Sequence, residues 1–231
     1  MLRGGILKIV LIGAPGAGKG VYAQYFKDKY CIPHISTGDI FREEIAKGSE
    51  LGEKIKHYVE QGLLVPDEIV IEVVKNRLMQ PDVANGFILD GYPRTLRQAV
   101  ALDGIVDVDV VVHLVVSEEV AVRRLSGRRI CPVCGRVYNV YYEPKPKYDE
   151  VCDYDGAQLI RRRDDEPNVV RERYRVFYET FNPIIEYYKN KRKLIEVNAD
   201  KSLKEVLPLL EKLLLESGII KIKPCREVKL E

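Results

Sequence analysis

The sequence predicts an α/β fold, a doubly wound parallel β-sheet of five strands with helices on both of its faces. Three observations predict this fold. Five short apolar runs are spaced along the chain, with helical patterns between them. The first run ends in a glycine-rich segment, "GAPGAGKG" at residues 13–20, which leads directly into a helical pattern. The 231 residues are 46% hydrophobic and 31% charged, as expected for a protein with one sizeable core.

The predicted strands are continuous apolar runs, which are typical of parallel strands buried on both faces. In chain order they are residues 6–12, 31–35, 86–90, 108–116 and 193–197. The first helix is predicted from Lys19 to about Lys29. The last helix, at residues 202–216, is amphipathic, and Pro208 is expected to bend or restart it because proline lacks a backbone N–H group.

Two segments interrupt this alternation of strands and helices. Residues 36–65 are helical and polar, and residues 127–165 contain a cysteine pair and stretches rich in proline and charge. We predict that both are inserts at the carboxyl edge of the sheet, where this fold class binds its ligands. The predicted core is then residues 1–35, 66–126 and 166–231.

The overall charge and hydropathy exclude two classes of protein. The formal net charge is only +2, so the molecule as a whole is not a binder of polyanions. No apolar run approaches the roughly 20 residues of a membrane span, and the N-terminus runs into the first strand rather than a cleavage site. We therefore expect a cytoplasmic protein with no membrane partner.

The glycine-rich segment has the spacing of a phosphate-binding P-loop. Gly13, Gly18 and Lys19 stand at the required positions between a strand and a helix. Glycines let backbone N–H groups turn toward a phosphate, while Lys19 and the helix N-terminus add positive charge. This segment predicts a nucleotide-binding protein.

One position departs from the general P-loop pattern. A serine or threonine usually follows the lysine and binds Mg²⁺, but here Gly20 and Val21 follow it. We expect Mg²⁺ to be held by nucleotide oxygens and waters, with Asp90 at the end of the third strand holding those waters.

Two pairs of residues with metal-ligand spacing lie in the second insert. Two residues separate Cys131 from Cys134, and two separate Cys152 from Asp155. Such a set suits tetrahedral Zn²⁺, with Fe and Co as alternatives, and a site filled by four protein ligands is structural. An insert of about 40 residues cannot bury enough apolar surface to fold alone, so we expect the metal to hold it together.

The other two of the five cysteines, Cys31 and Cys225, have no partner at metal-ligand spacing. We expect a buried thiol and a tail thiol. An odd number of cysteines with one metal-binding set fits a reducing compartment better than a disulfide framework.

Six motifs occur in the order found in adenylate kinases, and the chain resembles that family from about residue 6 to residue 200. They are "GAPGAGKG", "ISTGDIFR", "GLLVPDEIV", "LDGYPRTLRQA", "GRRICPVCGRVY" and "RRRDD…RERY". The resemblance implies reversible phosphoryl transfer from Mg·ATP to AMP, giving two ADP, on a P-loop core with an AMP-binding insert and a mobile lid. It also implies a monomer whose partners are these nucleotides and not nucleic acid, and the Cys₃Asp set resembles the zinc-containing lids of some members.

The resemblance assigns nucleotide-binding residues by position. Those implied for ATP are Gly13, Ala14, Pro15, Gly16, Ala17, Gly18, Lys19, Gly20, Val21, Arg124, Arg128, Val137, Tyr138 and Lys201. Those implied for AMP are Thr37, Arg42, Gln61, Gly62, Leu63, Leu64, Val65, Gly91, Tyr92, Pro93, Arg94, Gln98, Arg162 and Arg173. Gln98 would read the adenine edge, because an amide supplies both a donor and an acceptor.

Eleven of the eighteen arginines lie between Arg123 and Arg175. Such a run is either a solvated face or a phosphate site. The resemblance implies the second for the catalytic set Lys19, Arg94, Arg128, Arg162 and Arg173, which would stabilise the transferring phosphoryl group. Asp164 and Asp165 would orient these arginines or form a plain salt bridge, and Arg123, Arg129, Arg161 and Arg163 are expected on a solvated face.

Two other functions remain open from the sequence. One keeps the core but changes a substrate, as in another nucleoside monophosphate kinase or an enzyme with GTP as donor. The other is a zinc-ribbon module for nucleic acid or redox chemistry attached to a nucleotide switch, since "RVYNVYYEPKPKY" offers basic and aromatic residues.

Overall fold

The computed structural model describes residues 6–228. Residues 1–5 and 229–231, which are predicted to belong to the core, lie outside the described residues. The strands are β1 (Leu7–Ile12), β2 (His34–Ser36), β3 (Gly86–Asp90), β4 (Val110–Val115), β5 (Arg128–Ile130), β6 (Val137–Asn139) and β7 (Leu194–Asn198). The α-helices are α1 (Lys19–Tyr30), α2 (Thr37–Lys47), α3 (Glu50–Gln61), α4 (Asp67–Leu78), α5 (Leu96–Ile105), α6 (Glu118–Ser126), α7 (Pro167–Asn190) and α8 (Leu203–Glu216). Short 3-10 helices occur at Pro81–Val83 and Arg163–Asp165.

Five parallel strands form the main sheet in the order β2-β3-β1-β4-β7. The predicted α/β fold is confirmed, and each strand overlaps one of the predicted apolar runs. After β1 the chain first adds β2 and β3 toward one edge of the sheet and then β4 and β7 toward the other edge, so the direction of strand addition reverses beside β1. The loops that follow β1 and β3 meet at this point, which is where ligands bind in doubly wound sheets.

β1 is buried on both faces, as its continuous apolar run predicts. Ile9 and Leu11 pack in a cluster with residues of α1 and α8. Val10 and Ile12 pack in a second cluster, on the other face, with residues of α4, α5 and α7. The sheet is therefore covered by helices on both sides and holds the edge with the P-loop in a fixed position.

The 36–65 segment contains α2 and α3. Gly48 ends α2 with φ 64°, Ser49 caps α3 through its side chain by accepting from the N–H of Gly52 at 3.0 Å, and Gly62 ends α3 with φ 73°. These breaks explain why the polar segment forms two helices. Its boundaries as a separate insert stay a prediction.

Of the two effects expected of Pro208, the restart does not occur, because α8 continues through it, and the bend stays a prediction. The apolar face of α8, which includes Leu207 and Leu210, is fully buried in the core and compensates for the missing N–H donor. Across residues 6–228, none of the helices has both the length and the apolar character that crossing a membrane requires.

Cys31 and Cys225 are joined by a disulfide, which corrects the expectation of two thiols. Cys31 follows the end of α1, and the N–H of Cys225 donates to the carbonyl of Lys29 at 2.7 Å, so the tail runs back past this helix end. Counting cysteines cannot detect the pair, because its members are 194 residues apart. The bond also weakens the cysteine argument for a reducing compartment.

Candidate active site and lid metal centre

The glycine-rich segment forms a tight loop between β1 and α1. Gly13 has φ 154° and Gly16 has φ 84°. A Cβ at Gly13 would lie 2.5 Å from the carbonyl oxygen of Leu114, and one at Gly16 would lie 2.6 Å from the Cα of Ala121. Only glycine fits at these two positions, so the loop packs directly on β4 and α6. Gly18 then precedes α1, and the N-terminus of this helix opens onto the loop as an anion-binding end.

Lys19 is held across the loop. Its Nζ donates to the carbonyl oxygens of Gly13 at 2.7 Å and Ala14 at 3.1 Å. Burial lowers the pKa of Lys19 to about 8, Asp90 opposes this shift, and Arg94 reinforces it. The side chain is thus a cation at neutral pH, positioned at the mouth of the loop.

Asp90 ends β3 beside the first turn of α1. Its Oδ2 lies 3.2 Å from Nε2 of His34, and a Cβ at Gly20 would lie 3.9 Å from the same oxygen. Val21 is exposed on that turn and offers no polar atom. A buried carboxylate facing the position where other P-loops carry a hydroxyl is a suitable group to hold Mg²⁺ through waters.

The turn after β3 brings together three predicted AMP residues. Gly91 has φ 76°, and its carbonyl oxygen accepts from Thr37 Oγ1 at 3.1 Å and from Arg94 Nε at 2.8 Å. Thr37 is buried at the start of α2. The shared carbonyl fixes the Arg94 guanidinium near the ends of β2 and β3.

Gln98 and Tyr92 lie deeper behind this turn. Gln98 is 1% exposed, and its Oε1 accepts from the backbone N–H of Arg94 at 2.7 Å. The Tyr92 ring is fully buried, with its hydroxyl donating to the carbonyl of Gln98 at 3.0 Å. An apolar cluster encloses the ring, so the predicted contact of Tyr92 with AMP has to come from its backbone. Pro93 is buried as well.

The end of α3 packs against α7. A Cβ at Gly62 would lie 2.6 Å from Cγ of Arg173, so glycine allows the Arg173 stem to pass. Val65 is buried, whereas Leu63 and Gln61 are exposed, and Gln61 bonds only with His57, at 3.3 Å, among the described side-chain contacts. The structure thus brings Gly62 to the arginine cluster and leaves Gln61 outside it.

Two acidic residues of the 3-10 helix orient two of the predicted catalytic arginines. Asp165 is fully buried and accepts from Arg128 through both carboxylate oxygens, with Nε to Oδ2 at 2.8 Å. Asp164 accepts from Arg173 Nη1 at 2.9 Å. Bidentate pairing fixes the plane of a guanidinium, so Asp165 determines the direction in which Arg128 points.

The guanidinium groups are close enough to perturb one another. Burial, followed by repulsion from Arg42 and Arg128, lowers the pKa of Arg162 to about 10. Burial and then Arg173 lower the pKa of Arg94 to about 10. Because like charges lower each other's pKa only at short range, these shifts indicate that the arginines converge on one region.

The acidic residues respond in the opposite direction. Burial works to raise the pKa of Asp164, but Arg173 and the neighbouring guanidinium groups hold it below its ordinary value. Burial likewise opposes the lowered pKa of Asp39, whose Oδ1 lies 2.5 Å from Nη2 of Arg42 and 3.7 Å from Nη2 of Arg162. Both carboxylates therefore remain charged partners of the cluster.

Arg124 lies beside the P-loop. It donates to the carbonyl oxygens of Ala199 at 2.7 Å, Lys201 at 3.2 Å and Gly16 at 3.4 Å. Its guanidinium carbon is 5.8 Å from the centre of the Tyr142 ring. The sequence does not predict this contact of Tyr142, for which the available signal is an aromatic pair in the second insert.

Tyr138 is expected to contact ATP, and the structure places its side chain inside the second insert, so any contact with ATP has to come from its backbone. Its ring is 4% exposed inside the second insert, and its hydroxyl lies 3.4 Å from Sγ of Cys152 and 3.1 Å from the N–H of Asp153. The side chain supports the cysteine cluster because strand alternation points it inward. Val137, its neighbour on β6, points outward and is exposed.

Two of the arginines expected on a solvated face, Arg163 and Arg129, differ in exposure. Arg163 is 89% exposed, as expected. Arg129 contradicts the expectation, because its mostly buried Nε donates to Glu150 at 2.6 Å within the second insert.

The four predicted metal ligands form one cluster. These residues are Cys131, Cys134, Cys152 and Asp155, and their ligand atoms all lie within 4.8 Å of one another. Cys134 Sγ is 3.6 Å from Cys152 Sγ, close to the roughly 3.8 Å expected between thiolates on tetrahedral Zn²⁺. The donor set and its spacing therefore fit a zinc ion.

Comparisons with known proteins agree with this geometry. A family model described as adenylate kinase matches residues 11–193. The chain is 48% identical over 213 residues to an adenylate kinase of Oceanobacillus iheyensis, which covers 90% of this chain and 99% of the relative. It is 50% identical to that of Fervidobacterium nodosum (88% of this chain, 95% of the relative) and 49% identical to that of Archaeoglobus fulgidus (90% and 99%).

Proposed function

The chain belongs to the adenylate kinase family and functions as an adenylate kinase, and from this premise we propose how its residues bind Mg·ATP and AMP and transfer the phosphoryl group between them. The observation that carries the proposal is the convergence of Lys19, Arg94, Arg128, Arg162 and Arg173 beside the P-loop. Arg128 and Arg173 are paired with carboxylates, whereas Lys19 and Arg94 bond to backbone carbonyl oxygens among the described contacts. The charge of Lys19 and Arg94 is therefore available to a polyanionic ligand in the cleft.

On the donor side, the P-loop binds the terminal phosphates of ATP. Backbone N–H groups of the loop and the N-terminus of α1 surround the phosphates, and Lys19 supplies the positive charge. Bound Mg²⁺ would supply further neutralisation of phosphate charge, and Asp90 would hold it through waters. Arg124 and the Tyr142 ring, which face each other beside the loop, bound the donor nucleotide.

On the acceptor side, the turn after β3 and the start of α2 bind AMP. Thr37 and Gly91 line the site, and Arg42 and Arg94 bind the phosphate. Gln98 reads the adenine edge. These roles are supported by the shared hydrogen bonds at the Gly91 carbonyl and by the orientation of the Gln98 amide.

Transfer itself needs positioning and charge stabilisation rather than a general base. The transition state is diffuse and highly charged, and guanidinium groups offer planar, permanently charged donors for its oxygens. Arg128 and Arg173 are held in orientation by Asp165 and Asp164. Preorganised donors of this kind stabilise the transition state without reorganising.

The second insert acts as a lid whose zinc ion is structural. Cys131, Cys134, Cys152 and Asp155 would hold the ion as four protein ligands, which would leave no position for substrate and would join β5, β6 and the turns that follow as one body. Arg128 begins β5, three residues before the first ligand, and moves with that body. The ion would therefore affect catalysis only through the position of Arg128.

The molecule works as a cytoplasmic monomer with nucleotides as its partners, and with neither nucleic acid nor membrane. Three free cysteines kept for metal binding suit a reducing compartment. The Cys31–Cys225 disulfide is compatible with it, since intracellular proteins of hyperthermophiles also contain disulfides. Sedimentation should give the monomer mass of 26.4 kDa.

The test is a panel of acceptor nucleotides combined with a pair of variants. ADP should form from ATP plus AMP much faster than from ATP plus CMP, UMP or GMP. Arg94→Ala should lower kcat by at least about 10²-fold, because it removes a charge donor in the transition state. Arg97→Ala, three residues along and in a surface pair with Glu68, is the matched control and should stay near normal. Equal rates with all acceptors, or a near-normal Arg94→Ala variant, would contradict the proposal.

A further inference from the structure

Asp67, the first residue of α4, contacts the proposed adenine-reading residue of α5. Its Oδ1 accepts from Gln98 Nε2 at 2.7 Å, and its Oδ2 accepts from Thr95 Oγ1 at 2.8 Å. Thr95 in turn accepts from the backbone N–H of Gln98 at 3.1 Å. Thr95 therefore holds the Asp67 carboxylate in a position from which its other oxygen accepts from the Gln98 amide.

These contacts fix which end of the Gln98 amide is oxygen and which is nitrogen. The backbone N–H of Arg94 can only donate, so it requires Oε1 on its side, at 2.7 Å. A carboxylate can only accept, so Asp67 requires Nε2 on the other side. Asp67 lies in the first turn of α4, a position where acidic side chains interact favourably with the helix dipole.

A turn of the amide by 180° would make both contacts repulsive. Oε1 would face the Asp67 carboxylate, and Nε2 would face the N–H of Arg94. Gln98 is 1% exposed, so water cannot compensate for either loss. The amide thus has one orientation, with a second hydrogen on Nε2 and a second lone pair on Oε1 left for a ligand.

Adenine and guanine require opposite orientations of a reading amide. The Watson–Crick edge of adenine presents an amino donor and a ring-nitrogen acceptor, whereas guanine and hypoxanthine present a carbonyl acceptor and a ring N–H donor at the same places. On this basis, and resting on the proposed role of Gln98 at the adenine edge, we infer that Asp67 is a specificity-determining residue. It excludes 6-oxopurine acceptors by preventing the Gln98 amide from turning.

The inference is tested by Asp67→Asn, which keeps the shape but can donate as well as accept. The variant should reduce the preference for AMP over IMP, measured as the ratio of kcat/KM values, by about 10-fold. That is within the range that one bidentate base contact contributes. The ratio of dissociation constants for AMP and IMP should fall in parallel, and KM for ATP should be unchanged. Asp67→Ser, whose hydroxyl can also donate, should change the preference in the same direction.

Glu68→Gln is the matched control. It makes the same chemical change one residue along, on a surface pair between α4 and α5 that does not touch Gln98, and it should leave the preference unchanged. An Asp67→Asn variant that loses activity equally with AMP and IMP, or keeps the full preference, would overturn the inference.

Gln98→Leu separates this inference from the proposed acceptor site. If Gln98→Leu abolishes the preference while Asp67→Asn does not, Gln98 reads the base but Asp67 does not control it. If Gln98→Leu leaves the preference intact, Gln98 does not read the base, and the proposed acceptor site fails together with the inference.

Discussion

Burial and the attraction of Asp90 act on the pKa of Lys19 in opposite directions. Burial favours its neutral form, and the carboxylate of Asp90 favours the charged form, with the surrounding guanidinium groups on the side of burial. The resulting pKa of about 8 lies close to working pH. A bound polyphosphate would shift the balance toward the charged form, because it places negative charge beside Nζ.

This shift predicts a pH dependence for ATP binding. The free protein must hold Lys19 charged to attract phosphate, so kcat/KM for ATP should fall as the pH rises through about 8, because kcat/KM reports groups of the free enzyme. Below that pH Lys19 is charged, and its contribution to ATP binding is fully present. The measurement is a pH profile of initial rates at saturating AMP.

Lys19→Arg serves as the control for this profile. Arginine keeps its charge well above that pH. The variant will be slower, but the fall near pH 8 should disappear from its profile. A fall that persists unchanged would mean that another group titrates there.

The sequence predicts single residues well where spacing alone defines the chemistry. Lys19 and the four metal ligands follow from short, regular intervals, and the structure brings each set together. Tyr142 and Asp67 were missed because their contacts, with Arg124 and Gln98, depend on how distant segments pack. No local pattern distinguishes such residues from solvated neighbours.

The lid has a core too small to support it. Its buried cluster consists of Cys131, Tyr138, Cys152 and Leu159, with Ala157 packed alongside, so two of the four buried residues are predicted metal ligands. The two-stranded β5-β6 sheet is marginal without further support. The proposed zinc ion would supply the cohesion that apolar burial cannot.

Removal of one ligand should unfold the lid before it affects the rest of the molecule. Elemental analysis should find about one zinc per chain, and Cys152→Ser should reduce it. The variant should lower Tm by about 5 °C or more, since a lost structural metal costs several kcal/mol. Activity at room temperature should change less, because the P-loop and the AMP site lie outside the lid.

Asp153→Asn is the control, as Asp153 lies between the ligands Cys152 and Asp155 but accepts only from the N–H of Lys147 among the described side-chain contacts, at 2.8 Å. It should retain zinc and Tm. Protein purified without chelators that contains no metal would contradict the zinc site.

Among the elements, strands were easier to predict than helix continuity. Burial on both faces forces an apolar run, so the five strands of the main sheet are visible in the sequence. The restart expected at Pro208 does not occur, because the local cost of a proline is known from the sequence whereas the packing that offsets it is not. The burial of Arg129 in β5 does not follow from the sequence for the same reason, since its partner Glu150 lies elsewhere in the second insert.

In the molecule as a whole, the active site and the stabilising contacts of the tail lie apart. The site occupies the carboxyl edge of the sheet. The tail instead returns to α1, where Glu211 of α8 accepts from the hydroxyls of Tyr25 at 2.9 Å and Tyr30 at 2.5 Å. The disulfide Cys31–Cys225 adds a covalent link beside these hydrogen bonds and closes nearly the whole chain into one loop.

This arrangement predicts that the disulfide stabilises the fold without affecting turnover. A cross-link across 194 residues restricts the unfolded chain strongly, and disulfides typically contribute about 2–5 kcal/mol. Cys225→Ser should therefore lower Tm by about 5–15 °C for a chain of this size. Kcat for ADP formation at room temperature should be unchanged.

A thiol-free reductant provides the matched comparison, because it can break the disulfide of the unmodified protein but finds none in Cys225→Ser. It should lower Tm of the unmodified protein to that of the variant and leave the variant where it is. A further fall in the variant would trace the effect to the cysteines of the lid instead. Equal Tm values for the oxidised protein and Cys225→Ser would mean that the hydrogen bonds of Glu211 suffice to hold the tail against α1.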